Sequence, residues 1–361
     1  MLKQNLLFNK RIFVGFNSAG AAGIYAFTRV LRRRGYTIDF YGIGKTHFDM
    51  PVDFLLEFSA NPWVSFYQRV IYFCKILLRY DLWHLNFAEA FFFYPLNLFI
   101  LKLFGKKIVV TFLGIDVQTD LEFLPQSIYS KSDKWPEYYR LQFAKKFSER
   151  LFKKIRRRIF IYFADKVVLT GPFLAGQVDR YDKIIPYARD INRLKPSLHL
   201  NRSPSFSLKI LHIPSDPVVK GTAEVIRVFK SLSRKFPEHS FRVLPRAPRE
   251  ELLLEIAKAD IIVDQIIIGW YGGQAVEAMA QGKIVMAFLN PAYLQLVPFG
   301  KEIPIWNTNA WSFEQDLVML IKIFPEIKDE WQKKSWEFVR KYHDDRKIAH
   351  QYLEIYRETY E

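Results

Sequence analysis

The sequence predicts an α/β protein of two doubly wound, Rossmann-like domains facing each other across a cleft. Two observations carry this. Short β-branched runs alternate with amphipathic segments over most of the 361 residues, the pattern of parallel strands joined by crossover helices. The alternation also starts twice. A strand, a glycine-bearing loop and a helix open the chain, and the same order recurs beyond Asn192–Phe206, a stretch with two prolines, three serines and no apolar period. The boundaries expected are an N-terminal domain over 1–200, a second domain over 207–340, and a closing helix over 341–361 that braces the two.

In chain order, Arg11–Phe16 reads as a strand, Asn17–Gly23 as a loop and Ile24–Arg34 as a helix with Ile24, Phe27, Val30 and Leu31 on one face. Thr37–Tyr41 is the next strand. The loop holds Ser18, Gly20 and Gly23, so the backbone can approach a ligand closely at a helix N-terminus, or simply turn tightly. It is neither G-x-G-x-x-G nor a Walker loop. Leu82–Leu85, Lys107–Phe112 and Lys166–Leu169 are further strands, with the apolar helix Phe91–Phe104 between the first two. His84, inside an apolar strand, reads as a satisfied core residue. Gly114 and Asp116 fall at a strand's carboxyl edge, where ligand contacts collect; Asp116 could equally cap a turn.

The second half opens with strand Leu208–Ile213, loop Pro214–Lys220 and helix Gly221–Phe236. Phe241–Leu244, Arg249–Ala257, Asp260–Asp264, Gly273–Gln281 and Lys283–Phe288 continue the alternation. Trp331–Tyr360 is helical in period, with a break at His343-Asp344-Asp345.

Half of the residues are hydrophobic and 17% aromatic, which excludes a disordered chain. A single cysteine, Cys74, excludes an internal disulfide framework and a multi-cysteine metal site, and suits a reducing cytoplasm; its apolar surroundings read as core. The N-terminal stretch lacks a signal-peptide pattern, and the apolar run Phe87–Phe104 is interrupted by Glu89, Pro95, Asn97 and Lys102. The expectation is a cytoplasmic protein with no membrane span.

The net charge of +16 is concentrated. Between Lys131 and Phe160 eleven Lys or Arg face three acids, 11 − 3 = +8, interleaved with aromatic residues. Lys145, Lys146, Lys153, Lys154, Arg156, Arg157 and Arg158 form its densest part. Basic residues and aromatics on one helix suit an anionic membrane surface. Nucleic acid is the rival partner and a solvated basic face the plain one, but no helix-turn-helix, zinc-finger or RNP-like signature is present.

Residues 260–290 carry the densest site signal: a β-branched run, breaks at Gly269 and Gly272-Gly273, helix formers to Ala280, and a second apolar run from Ile284. A helix that opens on glycines beside a parallel strand offers free N–H groups to an anion. Glu277, one turn in, either meets a ligand or complements the helix dipole.

Taken together, these features resemble the GT-B glycosyltransferases, in particular the group 1, family 4-like enzymes that transfer a sugar from a nucleotide donor. Leu211-His-Ile-Pro-Ser-Asp-Pro-Val-Val-Lys220-Gly221-Thr222 is similar to the family's strand, loop and Lys-Gly element, which implies that Lys220 holds the donor diphosphate. A diphosphate leaving group gains charge as the glycosidic bond breaks, so a fixed cation there stabilises it. Gly269-Trp-Tyr-Gly272-Gly273-Gln-Ala-Val-Glu277 resembles the Glu-x7-Glu element, with Glu277 as the ribose-binding second glutamate and Gly272 and Gly273 near the phosphates. Gly269 stands where the first glutamate is expected, and Asp264 is the substitute carboxylate, one of two candidate catalytic residues with Asp116. Gly114-Ile-Asp116 resembles the His-Gly-x-Asp-like turn, with Leu113 in the histidine's place. The Ser18, Gly20 and Gly23 loop resembles the one that faces the donor phosphates across the cleft.

The resemblance implies a nucleotide-sugar donor, a glycan or lipid-linked acceptor, and transfer with retention. No Asp-x-Asp occurs, so neither a metal nor another cofactor is expected. The rival functions are a GT-B-fold nucleotide-sugar binding protein that has lost catalysis, and a basic nucleic-acid-binding protein. Oligomeric state is not encoded in any motif.

Overall fold

The computed structural model describes residues 7–15, 21–43, 52–86, 91–114, 147–194, 207–245 and 247–361. They fall into two compact units, the first holding the described residues up to 114, 147–189 and 345–361, the second holding 190–344.

The first unit is built on a seven-stranded parallel sheet. Its strands are β1 (Arg11–Gly15), β2 (Thr37–Ile43), β3 (Phe54–Leu56), β4 (Leu82–Asn86), β5 (Lys107–Phe112), β6 (Lys166–Leu169) and β7 (Lys183–Ile184), in the spatial order β3-β2-β1-β4-β5-β6-β7. Helices α1 (Ala21–Arg33), α2 (Pro62–Leu77), α3 (Tyr94–Leu103) and α4 (Phe147–Phe163) provide crossovers. Strand order reverses between β1 and β4, and there Asn86 Nδ2 donates to Gly15 O at 3.0 Å. β4 is buried along its whole length, as a strand covered on both faces must be.

The chain returns to this unit at its end. Residues 345–358 form a helix whose Ile348, Tyr352 and Tyr356 enter the same core as Ile24, Phe27 and Leu31 of α1. The Tyr352 ring stacks on Phe27 at 4.1 Å. His84 lies beneath, fully buried, with Nδ1 2.7 Å from Tyr356 Oη and Nε2 2.7 Å from Thr111 Oγ1. Burial pushes its pKa down to about 3, so the imidazole is neutral and its polar atoms are satisfied inside the core.

The second unit repeats the plan with β8 (Lys209–His212), β9 (Ser240–Val243), β10 (Ile261–Val263), β11 (Ile284–Ala287) and β12 (Ile305–Asn307), all parallel, in the order β12-β11-β10-β8-β9. Its helices are α5 (Pro217–Lys220), α6 (Thr222–Lys235), α7 (Arg249–Lys258), α8 (Gly273–Ala280), α9 (Pro291–Leu294) and α10 (Phe313–Tyr342). The closing helix, α11 (Asp345–Glu358), begins after the break at His343-Asp344. The core is formed by Val225, Val228 and Leu232 of α6, the inward strand residues, and Phe313, Leu317 and Leu320 of α10. Sequence periodicity placed α10 only from Trp331 onward. It starts 18 residues earlier and runs through Pro325.

Cys74, read from sequence as core, is exposed. On α2 it points away from Phe73, Ile76 and Leu77, which carry that helix's burial.

Candidate active site

In the second unit strand order reverses between β8 and β10, which pair in register from Ile210–Ile261 to His212–Val263. Ligands of open α/β sheets collect outside the carboxyl ends at such a reversal, and here those ends carry His212 and Asp264. After β8 the chain makes the single turn α5. Asp216 caps it, its Oδ1 accepting from Val218 N at 2.9 Å and Val219 N at 3.1 Å. The turn stops at Gly221, whose φ of 75° only glycine adopts easily. A Cβ there would also lie 2.7 Å from Ile266 Cγ1. Lys220 is thereby fixed at the mouth of the reversal.

The Lys220 side chain is only 6% exposed and forms an ion pair with Asp264 Oδ1. Asp264, 1% exposed, uses its other oxygen to accept from Gly272 N at 2.7 Å. Gly272 is the N-cap residue of α8, and a Cβ on it would stand 2.9 Å from Lys220 Nζ. Only glycine lets the start of α8 approach the ammonium this closely. Three residues singled out separately in the sequence, Lys220, Asp264 and Gly272, thus form one charged cluster at a helix N-terminus. Asp264 is engaged on both oxygens.

His212 supports the cluster. Its Nδ1 is 2.8 Å from Val263 O; a carbonyl only accepts, so Nδ1 carries the proton. Nε2 then accepts from Thr222 Oγ1 at 2.9 Å. Burial first, and the Lys220 charge beside it, lower the His212 pKa to about 4, against the raising effect of the Val263 carbonyl and Asp264. A neutral imidazole therefore ties β8, β10 and the start of α6 together beneath Lys220 and Gly221.

Five residues into α8 region from its cap, Glu277 is 8% exposed and meets Arg249 at the start of α7. Arg249 Nε and Nη2 both donate to Glu277 Oε1, at 3.0 and 2.8 Å. Arg249 was not anticipated: Glu277 looked like a dipole complement or a ligand contact, and it also holds a guanidinium. Gly273 opens α8 as its first residue.

Gly269 has φ 82°, and a Cβ on it would meet Asn290 Cβ at 2.9 Å. No carboxylate-bearing residue fits at this position without rearrangement, which accounts for glycine where the resemblance placed a glutamate.

In the first unit, Gly23 lies on α1 beside the Ala188 backbone, where a Cβ would make ordinary contact at 3.4 Å, so the position does not require glycine. Leu113, in the histidine's place, is buried; its carbonyl accepts from Tyr187 Oη at 2.9 Å and Thr170 Oγ1 at 3.2 Å. Ser18, Gly20 and Asp116 lie outside the described residues, as do Lys145 and Lys146. Of the described basic cluster, Lys154 and Arg158 are exposed and Lys153 and Arg156 half-buried. Arg157 departs from a surface role: it is buried, on the α4 face that also carries Phe160 and Ile161. No helix among the described residues is long and apolar enough to cross a membrane.

No family model matches the sequence, and none of the curated proteins matches it. Solved structures do match, over nearly the whole chain. Sucrose-phosphate synthase from Thermosynechococcus elongatus aligns with a TM-score of 0.65 at 15% identity, covering 97% of this chain and 99% of the other. The catalytic domain of starch synthase IV from Arabidopsis thaliana, bound to ADP and acarbose, gives 0.62 at 11% identity over 98% and 100%. The chain has the GT-B fold. HepE of Anabaena in complex with UDP is another GT-B neighbour, with a TM-score of 0.59 at 14% identity over 96% and 99%. The two parallel sheets, of seven and five strands, are the GT-B pair of Rossmann-like units.

Proposed function

We propose that the protein is a glycosyltransferase that moves a sugar from a nucleotide-diphosphate sugar to an acceptor, a lipid-linked glycan at the cytoplasmic face of a membrane, with retention and without an obligatory metal. The observation that carries this is the Lys220–Asp264–Gly272 cluster at the strand reversal of the second unit. A leaving nucleoside diphosphate gains negative charge, and a fixed ammonium beside the N-terminal amides of α8 stabilises that charge as it develops. Asp264 orients the ammonium, so its part is positioning. Arg249 holds Glu277 in one rotamer, presenting a fixed carboxylate to the ribose hydroxyls. Retention follows from assistance by the donor's own phosphate, which needs no carboxylate at position 269.

Two GT-B neighbours were solved with a nucleoside diphosphate, UDP in HepE and ADP in starch synthase IV, which supports a donor of this class. The basic segment 131–160 supports a membrane surface as the place of action. A second reading, a nucleotide-sugar binding protein without transferase activity, is favoured by one observation, the left-handed, crowded position of Gly269, where a carboxylate-bearing side chain does not fit.

The test is donor turnover on UDP-, ADP- and GDP-sugars, with and without a lipid extract as acceptor source. Lys220→Ala is expected to lose at least a hundredfold in turnover, the scale of removing one oxyanion stabiliser. Arg249→Ala is expected to raise the KM for donor about tenfold. Unchanged rates in both variants would refute the site. Nucleoside diphosphate binding with no transfer to any acceptor would favour the second reading.

A further inference from the structure

Helices α2, α3 and α4 form one continuous layer of the first unit. Phe73 of α2 meets Phe91 and Phe92, ahead of α3, with ring centroids 5.7 and 5.3 Å apart. Arg69 Nη1 donates to Phe91 O at 3.3 Å. Tyr94 at the start of α3 meets Phe152 and Phe160 of α4 at 6.1 and 6.0 Å. Each helix buries one stripe, Phe73, Ile76 and Leu77 on α2 and Leu98 and Leu101 on α3, with Phe160 and Ile161 on α4.

The opposite stripes are also apolar, and they are exposed. On α2, Trp63 is 84% and Tyr67 66% exposed; at 100° per residue both lie within about 60° of Cys74 and Leu78. On α3, Phe99 and Leu103 are 53% and 70% exposed, and on α4 Phe152 is 55% and Tyr162 82% exposed. Most of the exposed large apolar side chains among the described residues lie on these three helices and their caps. Soluble surfaces rarely gather apolar side chains in this way without a partner.

Charge identifies the partner. The sequences of α2 and α3, PWVSFYQRVIYFCKIL and YPLNLFILKL, contain no carboxylate. Lys75 on α2 and Lys154 on α4 are exposed beside the apolar stripes, and Arg158 on α4 is exposed in a pair with Asp179 at 3.1 Å. An aromatic and aliphatic face whose α2 and α3 carry cations and no acid complements an anionic lipid surface, where rings enter the interface and ammonium groups meet headgroups. A protein partner would present its own cations for pairing, and this face offers no acid on α2 or α3 to receive them.

We infer that the exposed face of α2, α3 and α4 docks the protein onto an anionic membrane, with the Trp63–Tyr67 stripe of α2 and the Phe99–Leu103 stripe of α3 as inserting elements and α4 as the electrostatic flank. The inference rests on the membrane-surface reading above. It shifts the anchoring from the basic segment alone to two helices outside that segment.

The single cysteine supplies a native probe, because Cys74 is exposed on the α2 stripe. The full chain, labelled at Cys74 with an environment-sensitive fluorophore, is titrated with vesicles of phosphatidylglycerol and phosphatidylcholine and with phosphatidylcholine alone. A blue-shifted emission is expected with the anionic vesicles only. Sedimentation with unlabelled protein should show about tenfold weaker binding for Trp63→Ser/Tyr67→Ser and for Phe99→Ser/Leu103→Ser. These substitutions sit at exposed positions, and an unchanged melting temperature and unchanged nucleoside diphosphate binding confirm the fold. Absence of wild-type binding to anionic vesicles overturns the membrane reading and this inference together. Wild-type binding that these variants leave unaltered, but that Lys153→Glu/Lys154→Glu abolishes, overturns this inference alone. A dimer broken by the same variants, with vesicle binding unaltered, assigns the face to a second copy of the chain and also overturns it.

Discussion

The buried ion pair at the strand reversal makes the sharpest prediction. Asp264→Asn keeps the size of the side chain and an acceptor for Gly272 N, but removes the charge opposite Lys220. Both partners are almost fully buried, at 6% and 1% side-chain exposure, so solvent screening gives little relief. Two unit charges about 4 Å apart attract by roughly 4 kcal/mol at an effective dielectric near 20. Breaking a buried pair by removing one partner costs about 3–5 kcal/mol, because the other charge stays stranded. The second unit should therefore lose about that much stability, and the loss should be local to the reversal. Native-state hydrogen exchange reads it directly: amides of β8 and β10 should exchange at lower opening free energy, while β4 and β5 of the first unit are unchanged. A nucleoside diphosphate should restore protection in the variant more than in the wild type, since its phosphates provide the missing counter-charge. The double variant Asp264→Asn/Lys220→Met should be more stable than Asp264→Asn alone. If Asp264→Asn leaves β8 and β10 protection unaltered and nucleotide adds equally to both proteins, the cluster is not a charge-poised anion site.

Two further outcomes follow from the same geometry. Gly269→Glu, which restores the carboxylate the resemblance expects, should destabilise the second unit by about 1–3 kcal/mol through its positive φ and the approach of Asn290; it should not raise donor turnover, and a more active, equally stable variant would refute this account. Acid sensitivity should reflect His84 and His212, whose pKa values are lowered to about 3 and about 4. For lowered pKa values the stabilisation is complete above the ordinary value near 6.5 and is lost progressively as pH falls from there to the folded-state values. At pH 5 each buried imidazole accounts for roughly 2 kcal/mol of that loss. Melting temperatures of the wild type and of His84→Gln between pH 8 and pH 4.5 check this, the variant showing the shallower decline.

Strands β5 and β6 were legible residue for residue because each is a β-branched run bounded by polar residues. β3, β7 and β12 span only two or three residues, too few for a period to register. α2 was missed for a different reason: its exposed side is as apolar as its buried side, so the 3.6-residue signal is flattened. The property that hid the helix from the sequence is the one that leaves Trp63 and Tyr67 exposed on its outer face. At the site, Lys220, Gly272 and Glu277 could be singled out individually because each follows a local pattern of strand, turn and helix. Their pairings could not. Arg249 meets Glu277 across 28 residues and Lys220 meets Asp264 across 44, and no periodicity spans such separations.

The location of the charges, rather than their sum, relates the two units' tasks. In the second unit the cations near the reversal have acids assigned to them: Lys220 has Asp264, Arg249 has Glu277, and on the periphery Lys235 has Glu314 and Arg242 has Glu255. Much of that charge is internally balanced, and the two pairs at the site are buried enough to be weakly screened by salt. In the first unit Lys102 of α3 has Asp165 and Arg158 of α4 has Asp179, while Lys75 of α2 and Lys154 of α4 are exposed beside apolar side chains, where attraction to a charged partner extends only about a Debye length, some 8–10 Å in physiological salt. A screened attraction of this reach cannot hold a diphosphate in one geometry. A buried, paired ammonium can do so. The paired charges at the strand reversal cancel in the net charge of +16, so the few charges that would do chemistry are those the net charge does not register.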